Sequence, residues 1–235
     1  MIPWLDEQQD FPEIESALEE PNGLLAAGGD LSPSRIINAY KNGIFPWFSD
    51  EDPILWWSPA PRCIVLPNEL HISRSMRKFI KGTTLKITTN HAFEQVMHHC
   101  SDREEGSWIN LEMIDAYCQL HRQGQAHSVE VWQNDALVGG LYGLSLGRVF
   151  FGESMFSRVS NASKLAFISL TQRLDDAGFE LIDCQVGSEH LYSLGARDIS
   201  REEFKQQLKA CNQTPSLNPW HTGIMHQHDD VAYHE

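Results

Sequence analysis

Hydrophobic and polar positions alternate with two different periods along this chain. From Ala136 to Leu146 the run ALVGGLYGLSL is apolar with interspersed glycines. Gly147-Arg148 then interrupt it before the short apolar run Val149–Phe151. That arrangement predicts a β-hairpin with a stretch of bare backbone that something approaches closely. Immediately after it the period lengthens. Ala166, Phe167, Leu170, Leu174 and Ala177 lie on one broad helical face, Ser160 or Asn161 stands at the N-cap and Gly178 at the end. A strand is predicted over residues 179–186, FELIDCQV. Strict alternation would put Leu181, Asp183 and Gln185 on one face and Ile182, Cys184 and Val186 on the other. A carboxylate and an amide two residues apart on an otherwise apolar strand are costly to bury without partners, which marks them as a candidate working centre.

The rest of the chain reads in the same way. Ser32 and Pro33 predict a short helix ending near Asn42. The aromatic segments around Phe45–Phe48 and Trp56-Trp57 lie in turn-rich sequence. Around residues 62–67 the composition changes to a strand, Cys63–Leu66, followed by a basic helix over Ser73–Lys81 and a strand over Thr84–Thr89. Asn90 is the expected cap of a helix reaching Cys100, and another helix runs from Leu111 to Gln123. A strand over Ser128–Gln133 leads through Asn134-Asp135 into the hairpin. Ser200 and Glu203 form a capping-box pattern for a last helix of about ten residues. The tail from Gln213 reads as irregular. These boundaries predict a small aromatic-rich lobe over residues 1–61 and a larger domain over 62–235.

At 235 residues and 41% hydrophobic composition, the chain can bury a substantial core. No apolar run is long enough for a membrane span, and the acidic start MIPWLDEQQD lacks the pattern of a secretory signal. Five dispersed cysteines without a C-x-x-C point to reduced thiols and a cytoplasmic protein. The net charge of −14 is uneven: residues 62–86 hold six of the Lys/Arg residues against Glu69 alone. Arg74, Arg77, Lys78 and Lys81 could meet a polyanion or simply face solvent, and charge alone does not separate the two.

Familiar site patterns are missing. The eleven histidines include the adjacent His98-His99 and the tail residues His226, His228 and His234, but no H-E-x-x-H or Cys/His quartet, so no metal is expected. Gly139-Gly140-x-x-Gly143 falls inside a strand rather than at a strand-to-helix turn, which argues against a dinucleotide loop. Ser154 and Ser157 lack the G-x-S-x-G elbow. Hairpin, capped helix, strand, loop and helix follow the order of a mixed-sheet N-acetyltransferase-type α/β (α+β) fold. The approach to the long helix, RVSNAS, lacks the glycines that grip a coenzyme A pyrophosphate, and Arg103–Trp108 matches that pattern only in part. Coenzyme A is therefore not the expected acyl donor, and no cofactor is expected.

The blocks EPNGLLAAGGDLS, NGIFPWF, PILWWSP, LHISRSM, SDREEGSWI, GGLYG, FGESMFS, NASK and LIDCQ together resemble the bacterial leucyl/phenylalanyl-tRNA–protein transferases, over about residues 20–200. The resemblance implies a small N-terminal lobe on an acyltransferase-like domain. It also implies transfer of Leu or Phe, more weakly Met, from aminoacyl-tRNA to proteins beginning with Arg or Lys, by a cytoplasmic monomer that tags proteins for N-degron degradation. It assigns catalysis to Asp183 and Gln185 and an apolar donor pocket to Trp47, Trp108, Leu141, Phe150 and Met155. Glu153 would bond the donor's terminal adenosine or α-amine. Arg74, Arg77, Lys78 and Lys81 would hold the acceptor stem. An aminoacyl ester is already activated, so the enzyme chiefly positions it and manages one proton. Asp183 would polarise the Gln185 amide through its NH₂, making Gln185 a base or a positioning group. The rivals are a coenzyme A-dependent N-acetyltransferase and a non-catalytic module that binds cationic protein N-termini.

Overall fold

The structure is a computed structural model that describes residues 2–6, 9–102, 107–212, 218–220 and 223–225. Arg103–Gly106 of the partial coenzyme A pattern, and His226, His228 and His234, lie outside the described residues. Strands β1 (Trp4–Leu5), β2 (Leu24–Gly28), β3 (Phe45–Pro46) and β4 (Leu55–Trp57) form a four-stranded sheet in the order β1-β2-β4-β3. The larger sheet contains β5 (Arg62–Val65), β6 (Lys86–Thr89), β7 (Ala126–Gln133), β8 (Ala136–Leu146), β9 (Val149–Ser157), β10 (Leu181–Gln185), β11 (Arg197–Ile199) and β12 (Gly223–Met225). Its order is β11-β5-β10-β9-β8-β7-β6-β12. Among the described residues, only β9 and β10 pair parallel in it, because α5 (Ala162–Asp176) crosses between them. This is the mixed-sheet α/β architecture read from the sequence.

The helices divide between the two faces of the large sheet. Helices α1 (Pro33–Lys41), α3 (Phe93–Ser101), α4 (Leu111–Arg122) and α7 (Arg201–Asn212) share one core with the small sheet and with Ile64, Phe151 and Leu181. Helices α2 (Arg74–Gly82), α5 and α6 (Glu189–Tyr192) pack on the other face against Val65, Phe150 and Ile182. Neighbouring strand residues thus serve opposite cores, as alternation requires.

Several local expectations change. The bare backbone of β8 is approached by the protein itself. A Cβ on Gly139 would come within 2.5 Å of the Ala162 Cβ on α5, and one on Gly143 within 2.1 Å of the Phe151 carbonyl oxygen. Asn90 does not cap α3. It turns left-handed (φ 57°) and its side chain binds the Ser128 N–H, while the buried Glu130 carboxylate accepts from the His91 and Ala92 amides at the helix entrance. Asn161 is at the N-cap of α5 but makes no side-chain capping bond there. The tail is not wholly irregular, because Gly223–Met225 pairs antiparallel with β6 and extends the sheet.

Candidate active site

The site opens where two parallel strands part. β9 and β10 are paired from Val149/Leu181 to Phe151/Asp183. Beyond that point β9 continues along β8 to Ser157, whereas β10 ends at Gln185. A cavity of about 570 Å³ lies beside this parting. Phe45 and Pro46 of the small sheet and the following Trp47 line it, with Trp108, Leu141, Phe150 and Met155, and with Phe167 and Leu170 of α5. All five expected apolar pocket residues are brought together there. Leu141 and Phe150 are buried, while Trp47 is 43% exposed at the rim. The Trp47 indole lies 5.3 Å from that of Trp57, whose Nε1–H donates to the Trp47 carbonyl. Glu153, Gln185, Ser188 and His190 belong to the polar part of the wall, with Ser154, Ser157 and Ser163.

Glu153 is the hub of that polar wall. Its Oε1 accepts from the Tyr40 hydroxyl at 2.7 Å and from the Gln185 Nε2 at 2.8 Å, and its Oε2 accepts from Tyr117 at 3.2 Å. The two tyrosine hydroxyls are themselves 2.6 Å apart. Burial pushes the Glu153 pKa up to about 7, against the lowering effect of its three hydrogen bonds. Burial, with the Glu153 carboxylate next in effect, also holds both phenols far above their ordinary range, so Tyr40 and Tyr117 remain neutral donors. With its NH₂ committed to Glu153, the Gln185 side chain lines the cavity with its carbonyl oxygen still available.

Asp183 occupies a different environment from the one alternation suggested. It is fully buried, is not part of the cavity wall, and is gripped by Arg62 through two parallel bonds of 2.8 and 2.7 Å. The Arg62 guanidinium also lies over the rings of Phe45 (5.0 Å) and Phe204 (4.6 Å). Asp183 reaches Gln185 through the main chain: the Gln185 N–H donates to its Oδ1 at 2.9 Å. The expected bond from the Gln185 NH₂ to Asp183 is therefore replaced. The cause is a register shift between Asp183 and Gln185 opposite Cys63, with Gln185 at φ 63°. This bulge re-aims the Gln185 side chain towards β9.

On α2, Arg74, Arg77, Lys78 and Lys81 are exposed, Met76 and Ile80 are buried, and the Ser73 hydroxyl accepts the Met76 N–H as N-cap. None of the four basic residues lines the cavity. Sequence reasoning missed Arg62, Tyr40 and Tyr117. Arg62 was visible as the first charge of the basic segment, beside a strand with no other charge. Tyr117 stood inside the helix read over Leu111–Gln123, and Tyr40 inside the short first helix.

Comparison with known proteins places the whole chain in one family. The sequence profile described as leucyl/phenylalanyl-tRNA protein transferase matches residues 64–209, and the profile of that protein's N-terminal domain matches residues 29–60. The chain belongs to the leucyl/phenylalanyl-tRNA–protein transferase family. Relatives carrying that name include one from Cellvibrio japonicus, 55% identical over 94% of this chain and 96% of its own length. Others are from Nitrosospira multiformis (58%, over 89% and 91%) and Pseudomonas aeruginosa strain UCBPP-PA14 (54%, over 92% and 97%). L-PGS from Bacillus licheniformis resembles the fold only loosely, with TM-score 0.38 and 12% identity over 79% of this chain and 65% of that one. Members of this transferase family are enzymes, and among the described residues no helix is long and apolar enough to cross a membrane.

Proposed function

We propose that this chain moves Leu or Phe, and more weakly Met, from aminoacyl-tRNA to the α-amino group of proteins that begin with Arg or Lys, acting as a monomer in the cytoplasm and marking its products for N-degron degradation. The observation that carries the reading is the cavity at the β9–β10 parting, apolar on most of its wall and edged by the Glu153–Gln185 pair. An apolar enclosure suits a Leu or Phe side chain.

In the reaction the amine nitrogen attacks the ester carbonyl carbon. A C–N bond forms, the ester C–O bond breaks, and the terminal ribose hydroxyl leaves with a proton while the amine gives one up. The Gln185 carbonyl oxygen accepts an N–H of the incoming amine and directs its lone pair at the ester. Glu153, itself held by Tyr40 and Tyr117, takes the Gln185 NH₂ and leaves this oxygen for the amine. An amide is too weak a base to retain the proton, so Gln185 orients the amine and the ribose oxygen finally takes the proton. Asp183 is a positioning residue, holding the Gln185 main chain while Arg62 holds Asp183. The negative overall charge favours cationic protein N-termini. The exposed Arg74, Arg77, Lys78 and Lys81 suit the phosphates of a tRNA acceptor stem.

Radiolabelled Leu-tRNA or Phe-tRNA mixed with the protein and an Arg-initiated peptide tests the reading. Label on the peptide α-amine is expected. Label from acetyl-coenzyme A alone would assign an N-acetyltransferase, and peptide binding without transfer would assign a recognition module.

A further inference from the structure

Phe150, a fully buried side chain of the cavity wall, touches a part of the chain far from the cavity's other residues. On one side its ring rests on Gly143: a Cβ there would come within 2.6 Å of the Phe150 Cζ. On another side it meets the indole of Trp220, with ring centroids 5.6 Å apart and planes tilted by 38°. Trp220 comes from the segment beyond α7, and it also stacks on His127 of β7 at 4.0 Å and 3°. His127 is itself fixed, its Nδ1 3.1 Å from the Asn90 amide nitrogen and its Nε2 3.2 Å from the Gly124 carbonyl oxygen. Burial pushes its pKa down to about 3, so the stacked ring is neutral imidazole. The segment is anchored on both sides of Trp220. Arg173 of α5 donates to the Pro219 carbonyl, and β12 pairs with β6.

We propose that Trp220 is a specificity-determining residue for the donor's side chain, setting the depth of the apolar cavity by backing Phe150 against Gly143. The inference rests on the reading that this cavity holds the Leu or Phe side chain. Gly143 has no side chain with which to restrain Phe150 from the neighbouring strand, and Trp220 is the large ring that packs against Phe150 from the segment beyond α7. A shallow cavity grips Leu closely; a deeper one leaves space beside Leu and accommodates Phe with less strain.

The test compares Trp220→Ala and Trp220→Phe with the wild type, using Leu-tRNA and Phe-tRNA separately and a fixed Arg-initiated peptide. Trp220→Ala is expected to raise the Phe-to-Leu ratio of kcat/KM by roughly five- to tenfold, mainly through KM for the donor. Trp220→Phe keeps a smaller ring against His127 and is expected to move the ratio about twofold in the same direction. Short leucyl- and phenylalanyl-adenosine donors should show the same shifts, because they fill the cavity without touching α2. Equal proportional losses with both donors, or an unchanged ratio, would reduce Trp220 to a structural role and overturn the inference. If Trp220→Ala fails to fold, Trp220→Phe decides alone. A wild-type protein that transfers neither residue overturns the functional reading and this inference together, whereas an active wild type with unmoved variant ratios overturns only the inference.

Discussion

Replacing Glu153 by Gln removes the one ionisable group at the hub of the cavity's polar wall while keeping its length. Its proton is bound more tightly in the folded chain, the pKa rising from 4.5 to about 7. Below about pH 4.5 the carboxyl is protonated in both folded and unfolded chains and contributes no pH dependence. Between 4.5 and 7 the unfolded chain releases the proton first, so rising pH favours unfolding. Above about 7 both states are ionised and the difference is constant. Summed over that window, and reduced because Glu153 is only partly buried, the wild type loses on the order of 2–3 kcal/mol that Glu153→Gln retains. For a chain of this size that is roughly 5–10 °C in Tm. Urea unfolding of both proteins at pH 5, 6, 7 and 8 measures the difference directly. The variant's relative stability should grow through the window and then level off. Parallel curves with a constant offset would refute the reasoning, because they would mean that the carboxyl already ionises at its ordinary pKa inside the fold.

Two further outcomes follow from the same geometry. Asp183→Asn leaves the Arg62 guanidinium buried without its counter-charge, so a loss of about 3–5 kcal/mol is expected in urea unfolding, with kcat reduced more than KM for tRNA is raised. Wild-type stability with abolished turnover would instead move Asp183 into the chemistry. Replacing Arg74, Arg77, Lys78 and Lys81 together by Gln should raise KM for aminoacyl-tRNA and reduce the log–log salt slope by about one for each phosphate left unneutralised, yet spare aminoacyl-adenosine donors. Equal loss with the short donors would point to damaged folding.

The fold was legible where its determinants are local. The hairpin, the α5 face closed by Gly178, the basic helix from Ser73 to Lys81 and the alternation of Leu181, Ile182 and Asp183 are written in adjacent residues. The apolar wall was legible only through linked sequence blocks, since no period relates Trp47 to Met155. Gln185 was misread because alternation assumes an unbroken strand, and neither Cys184 nor Gln185 is a residue that announces a bulge. The Tyr40–Tyr117–Glu153 cluster and the Arg62–Asp183 pair were invisible for another reason. Their partners lie 36–121 positions apart, and no local rule specifies which polar side chains will meet across a core.

Those separations also bear on how the chain acquires activity. Tyr40 stands in the first fifth of the sequence, and the core it shares is closed by Phe204, Leu208 and Cys211 of α7. During synthesis the first sixty residues emerge long before the side chains that will bury them, and loops spanning most of the chain must close before Glu153 meets its tyrosines. A nascent or partly unfolded copy therefore has no assembled site with which to engage the charged tRNA around it. The Glu153 cluster is thus tied to the closing of a core that includes the last helix, so its assembly comes late in folding.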